Sequence, residues 1–232
     1  MATEPRLGSV TAHFIVIDAD RQRDVAADAI AVLAASGLTL AVAESLTGGA
    51  VLADLVRIPG ASAVLRGGVV AYDTALKSTV LGVPRTLLDA YGPVHPEVAV
   101  AMAEGVRVAA AVQGHPADLG VATTGAAGPD SQGGVPVGLV YVSVADASGA
   151  VVREHRFAGD RVAIRAQTVR AALELLCEFL PARESATVGN DLHDYRVTNS
   201  RLTTPAQVAE VTVKPSGFDS VTPPAHPDKK FS

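Results

Sequence analysis

At 232 residues, with 48% hydrophobic and 19% charged side chains, the chain is long enough for one substantial core or at most two small ones. A net charge of −5 and a pI near 5.6, with no basic stripe interleaved with aromatics, argue against nucleic-acid binding as the main task. One cysteine cannot build a disulfide framework, the first ten residues do not read as a secretory leader, and the longest uncharged run, 29–43, falls short of the ~18 residues a membrane span needs. A cytoplasmic protein without membrane or metal partners is expected.

From Arg21 to Ser36, Val25, Ala29, Val32 and Leu33 recur at helical spacing, Asp24 and Asp28 offer a wet face, and Gly37 supplies a stop. Leu38 to Ala43 is a charge-free run suited to a strand buried on both faces, followed by Glu44-Ser45-Leu46-Thr47-Gly48-Gly49 and a helix through Arg57. Gly68 to Tyr72 reads as a second buried strand. Asp73 or Thr74 can cap a short helix that carries Lys77 and ends at Gly82, and Pro84 opens another to Tyr91. Pro96 begins a longer helix with an apolar stripe of Val98, Met102, Gly105, Ala109 and Val112.

Ala117 to Thr123 is the third strand, ending in the loop from Thr124 to Asp130. Gly138–Ala145 and Val151–Phe157 make an antiparallel pair around a turn at 146–149, with the second strand nearer an edge. Asp160 can cap a last helix from Arg161 to Leu180, in which Cys177 falls in a core register. The expected organisation is an extension over 1–21, in which His13 to Ile17 could add an edge strand, a domain over 22–181, and a polar tail over 182–232 that is expected to be largely disordered.

Three loops follow the three buried strands, and in an open α/β sheet such loops share one edge, where ligands bind. In the first, Ser45 and Thr47 bring hydroxyls, and Gly48-Gly49 lets backbone N–H groups approach an oxyanion at a helix start. It fits neither the phosphate-loop pattern, which needs Gly-Lys-Ser/Thr, nor the dinucleotide fingerprint. In the second, Lys77 is the only lysine before position 214. An amine near a helix N-terminus and shielded from water shifts from about 10.4 toward the 7–8 useful to a base. Tyr72 could hold or relay the proton. The third loop brings Thr123, Thr124, Gly125 and Gly128, suited to contacts with a ribose or phosphate. Arg161 and Arg165, four apart on one helical face, could both reach one anion. The histidines show no two-histidine helical spacing, so no zinc cluster is drawn, and a hydroxyl nucleophile with an amine base requires no cofactor.

The ordered motifs Ala43-Glu44-Ser45-Leu46-Thr47-Gly48-Gly49, Gly67-Gly68-Val69-Val70-Ala71-Tyr72 leading to Lys77 and Leu81-Gly82-Val83, Thr124-Gly125-Ala126-Ala127-Gly128-Pro129-Asp130, Pro136-Val137-Gly138 and Gly159-Asp160-Arg161 resemble the CinA C-terminal domain family, over about residues 22–181. That family includes the nicotinamide-nucleotide amidases. The resemblance implies a three-layer α/β/α sandwich around a mixed, mostly parallel sheet. It also implies hydrolysis of nicotinamide mononucleotide to nicotinic acid mononucleotide and ammonia, in pyridine-nucleotide salvage, by a homo-oligomer. Carried over, Ser45 is the nucleophile, Lys77 its base and Tyr72 the assisting hydroxyl. Donors around Thr47, Gly48 and Gly49 hold the oxyanion, and Glu44, Thr124, Gly125, Gly128 and Arg161 complete the substrate site. The family usually has cysteine where this chain has Leu46 and a serine cap where it has His95, and Ser131-Gln132 lengthens the stretch before Gly133-Gly134. The family's N-terminal partner domain is not expected here. The alternative is a nucleotide-sensing or partner-binding module that kept the pocket and lost turnover.

Overall fold

The structure, a computed structural model, describes residues 24–131, 133–187 and 210–213. Helix α1 (Val25–Ser36) begins after Asp24, whose carboxylate caps the Ala27 N–H, and ends at Gly37 in the left-handed conformation. Asp24 is therefore the cap rather than part of the wet face; the expected start at Arg21 lies outside the described residues. Strand β1 (Leu40–Glu44) is buried at every position and leads into α2 (Ala50–Val56). Strand β2 (Leu65–Val70) starts three residues before the expected Gly68 and is half-exposed, because it forms the sheet edge that the sequence assigned to the interior.

Helix α3 (Thr74–Thr79) is capped by Asp73 through Ala75 N–H, and α4 (Arg85–Tyr91) follows Pro84. Helix α5 (Pro96–Ala109) starts at Pro96 as expected but stops before Val112, which is exposed and bridges to His115. His95 precedes α5 without a side-chain capping bond; its ring stacks on Tyr91 at 4.3 Å. Strands β3 (Leu119–Gly125), β4 (Leu139–Ala145) and β5 (Ala150–Arg156) lead to α6 (Arg161–Thr187), which Asp160 caps through Ala163 N–H. Its backbone continues through Pro181, seven residues beyond the expected end at Leu180. A further strand, β6 (Glu210–Val213), pairs antiparallel with β5 inside the stretch expected to be a tail, so β5 is not the last strand of the sheet. The possible strand at His13–Ile17 lies outside the described residues.

The sheet order is β2-β1-β3-β4-β5-β6, with β2, β1 and β3 mutually parallel and the later pairings antiparallel. Alternation along each strand divides the core into two layers. Leu40, Val42, Leu119, Val121, Val140, Val142 and Val144 pack with α1, α2 and α6. Ala41, Ala43 and Ala122 pack with Leu81, Val83 and the Val98, Met102 and Val106 face of α5. This is the expected α/β/α sandwich with a mixed sheet, but with two parallel and three antiparallel pairings it is not mostly parallel, because β4, β5 and β6 add on as antiparallel neighbours. Because β1 has β2 on one side and β3 on the other, with α2 on one face and α3–α5 on the opposite face, the loops after β1 and β3 diverge. Both loops leave the carboxyl edge of the parallel strands, the edge at which open α/β sheets bind ligands.

The spacing between α3 and α5 is set by backbone contact. A Cβ on Gly105 would stand 1.8 Å from the Leu81 carbonyl oxygen, so no side chain fits there. Gly105→Ala is expected to cost about 2–3 kcal/mol by forcing the α3 exit off α5, measurable by urea unfolding.

Candidate active site

Ser45 follows β1 directly. Its N–H donates to the Thr123 carbonyl at 3.1 Å and carries the parallel ladder one residue past Glu44. Strand alternation therefore sends Ser45 to the α5 face with Ala41 and Ala43, and Thr124 to the same face with Ala122. Thr123 turns to the opposite face, where its hydroxyl meets that of Thr47 at 2.8 Å.

Lys77 approaches from α3 on that α5 face and is 1% exposed. Its amine donates to Thr124 Oγ1 at 3.1 Å and to Met102 Sδ at 3.2 Å. Thr124 in turn donates to the Pro93 carbonyl at 2.7 Å, so toward the amine it acts as acceptor. Burial pulls the Lys77 pKa from 10.5 down to about 7. A neutral amine has two N–H groups and one lone pair, and the two acceptors match it; an ammonium would keep a third N–H in a dry site. The amine makes no direct hydrogen bond to Ser45. They are linked through consecutive residues of β3: the Thr123 carbonyl accepts from Ser45 N–H, and Thr124 Oγ1 accepts from Lys77.

Glu44 has a different task from the expected substrate contact. It is fully buried, and its carboxylate accepts from the N–H groups of Gly49 at 2.9 Å, Val51 at 3.1 Å and Leu52 at 2.8 Å. It thus fills the positive start of α2 that the sequence reading reserved for an oxyanion. Gly49 N–H is spent there, and Gly48 N–H turns back to the Ser45 carbonyl. Both glycines have positive φ, 61° and 93°, which fixes why they are glycine. Arg165 completes the loop by donating to the carbonyls of Leu46 at 3.1 Å and Thr47 at 2.7 Å, while the Leu46 side chain packs in the core.

Gly125 is likewise a packing glycine, since a Cβ there would lie 2.7 Å from the Leu139 oxygen. Arg161 donates to the Gly128 carbonyl at 2.7 Å and to the Tyr72 hydroxyl at 2.9 Å, joining the second and third loops at the surface. Tyr72 is 60% exposed and pairs with Arg161 rather than with Lys77. The two arginines do not converge on one anion: Arg165 is committed to loop carbonyls and Arg161 stands at the rim. Met102 and Pro93 escaped the sequence reading as site residues, whereas Arg165 was singled out there for an anion and instead holds loop carbonyls. Of the two that escaped, only Met102 carried a signal, as the one methionine after Met1. Cavities of about 690, 330, 620 and 510 Å³ open elsewhere on the described surface, and none of these four is lined by Ser45 or Lys77.

Residues 22–180 match the family model of the CinA C-terminal domain. The chain belongs to the CinA C-terminal domain family. A curated relative from Desulforamulus reducens, whose name places it with the competence-damage inducible proteins, is 49% identical over 148 residues, covering 64% of this chain and 35% of the relative. A CinA-like protein from Frankia casuarinae is 45% identical over 155 residues, 66% of this chain and 35% of the relative. The chain thus spans about a third of the length of these relatives. Among solved CinA-type structures, the competence/damage inducible protein CihA from Agrobacterium tumefaciens superposes with a TM-score of 0.62 at 34% identity, over 68% of this chain and 96% of that one. A CinA superfamily protein from Klebsiella pneumoniae gives 0.65 at 30% identity, over 69% and 99%. No helix among the described residues is long and apolar enough to cross a membrane.

Proposed function

We propose that this CinA-family chain is an amidohydrolase that converts nicotinamide mononucleotide to nicotinic acid mononucleotide and ammonia. The observation that carries this reading is the Lys77 amine, 1% exposed, brought by burial to a pKa of about 7 and bonded to Thr124, the residue after the one whose carbonyl accepts the Ser45 N–H. A solvated or structural lysine has no need of such a site. Ser45 Oγ attacks the carboxamide carbon while Lys77 takes the hydroxyl proton. The tetrahedral adduct then expels the amide nitrogen as ammonia, which receives that proton as the C–N bond breaks. Water adds to the resulting ester, again giving a proton to Lys77, and release of the C–O bond returns Ser45 and the acid. Because Tyr72 accepts from Arg161, it keeps its own proton available to the oxyanion or the leaving nitrogen. Arg161, exposed at the rim, provides the charge for the nucleotide phosphate.

The test is to incubate the full chain with nicotinamide mononucleotide in the presence of chelator and follow ammonia and the acid together. Turnover that is lost in folded Ser45→Ala is expected, whereas persistent ammonia release by that variant removes the assignment. Binding of the mononucleotide without ammonia release would favour a sensor. Arg161→Ala is expected to raise KM about tenfold or more with a smaller change in kcat, because the phosphate contact acts before and during the reaction alike. Steady-state kinetics at fixed ionic strength checks this.

A further inference from the structure

We infer that Met102 is the positioning residue for the Lys77 amine: its thioether takes one N–H and Thr124 the other, leaving the nitrogen lone pair free for Ser45. This rests on the proposed Ser-Lys reading and explains how its base is kept ready. Met102 is 0% exposed, and its Sδ lies 3.2 Å from the nitrogen. Thr124 Oγ1 is 3.1 Å from the same nitrogen and gives its own proton to Pro93, so it cannot occupy the lone pair. Two acceptors on a tetrahedral nitrogen fix its rotation about the last side-chain bond, and the remaining direction is the one not blocked by either.

The chemistry of sulfur suits the task. A thioether is a weak acceptor, enough to satisfy one N–H of a neutral amine but a poor stabiliser of an ammonium. A carbonyl or carboxylate at position 102 would hold the charged form instead. No other charge interferes: Glu97, Glu104 and Arg107 of α5, Asp73 at the start of α3 and Glu44 of β1 make no contribution to the lowered Lys77 pKa, whose cause is burial alone. The close approach of Gly105 to Leu81 locks α3 against α5, keeping the sulfur and the nitrogen in register.

The composition makes a clean test possible. The chain holds two methionines, Met1 and Met102, and four lysines, Lys77, Lys214, Lys229 and Lys230. Replacing methionine by norleucine during expression exchanges one internal sulfur for a methylene of nearly the same shape. With lysine labelled at Cε and Nζ, the titration of the Lys77 signal can be followed by NMR in the full chain. Relative to the unsubstituted protein, the norleucine form is expected to titrate at least about half a unit lower, since the charged amine loses its weak acceptor, and Met102→Gln at least about one unit higher. The alkaline-rising limb of kcat/KM should move in the same directions. Identical Lys77 titration in all three proteins, each with native circular dichroism, overturns the assignment to Met102 while leaving the amidase reading intact. A Lys77 that titrates above 10 in the unsubstituted protein overturns both.

Discussion

Replacing Lys77 by methionine is expected to lower kcat/KM by roughly 10³-fold or more and, at the same time, to make the fold more stable. The two effects have one cause. Position 77 is enclosed by Met102, Thr124 and the α3–α5 packing, so an apolar side chain of similar length fits there without leaving a charge to desolvate. The linkage has a definite sign. The folded-state pKa of about 7 lies below the unfolded value of 10.5, so the folded state binds fewer protons between them, and stability rises with pH across that window. Below about 7 both states are protonated and the cost of the buried charge is felt in full; above 10.5 it is gone. At about 1.4 kcal/mol per pKa unit, the cost at low pH is on the order of several kcal/mol. Urea unfolding of both proteins at pH 6, 8 and 10 should therefore show the advantage of Lys77→Met shrinking as pH rises. Parallel pH dependence in the two proteins would mean that the amine is not desolvated.

The second large effect is expected at Glu44. Its carboxylate satisfies the Gly49, Val51 and Leu52 N–H groups at the start of α2. Glu44→Ala leaves three donors unpaired in a buried or half-buried setting and is expected to cost about 3–5 kcal/mol. Glu44→Gln keeps one acceptor oxygen but sets an NH₂ against an N–H, so an intermediate loss is expected. Because Ser45 is the next residue, activity should fall in step with disorder of the loop. Thermal unfolding combined with amide exchange at residues 45–52 separates this from direct loss of a substrate contact, which would reduce activity with the protection of those amides unchanged.

The sequence showed the layers well where hydrophobic period was strong. The apolar run before Glu44, the stripe of α5 and the Asp160-capped start of α6 all form the expected elements at nearly the expected places. It erred where neighbours decide. Gly68 to Tyr72 looks like an interior strand, but whether another strand covers β2 is a property of the sheet order, not of those residues. Pro181 reads as a stop, yet the helix backbone passes through it. At the candidate site, Ser45, Lys77 and Arg161 stood out in the sequence because hydroxyl, amine and guanidinium carry recognisable chemistry. The role of Glu44 was not, since an acid beside paired glycines looks the same whether it faces a ligand or the N–H groups of its own helix. Gly125 misled in a similar way: room for a ligand and room for the Leu139 backbone call for the same absent side chain. Contacts between residues distant in sequence, such as Arg165 with the Leu46 and Thr47 carbonyls or Lys77 with Met102, appear only once the layers are assembled.

The account turns on Ser45 being activated by the Lys77 amine, and this can be measured without assuming any substrate. A small alkyl fluorophosphonate reacts with an activated serine through attack of Oγ on phosphorus and loss of fluoride, adding a fixed mass. Intact-mass and peptide analysis of the full chain should show one adduct, on Ser45, forming at a rate that rises with pH through about 7 and falls by orders of magnitude in Lys77→Met. Absence of an adduct on Ser45, or labelling just as fast in folded Lys77→Met, would contradict it.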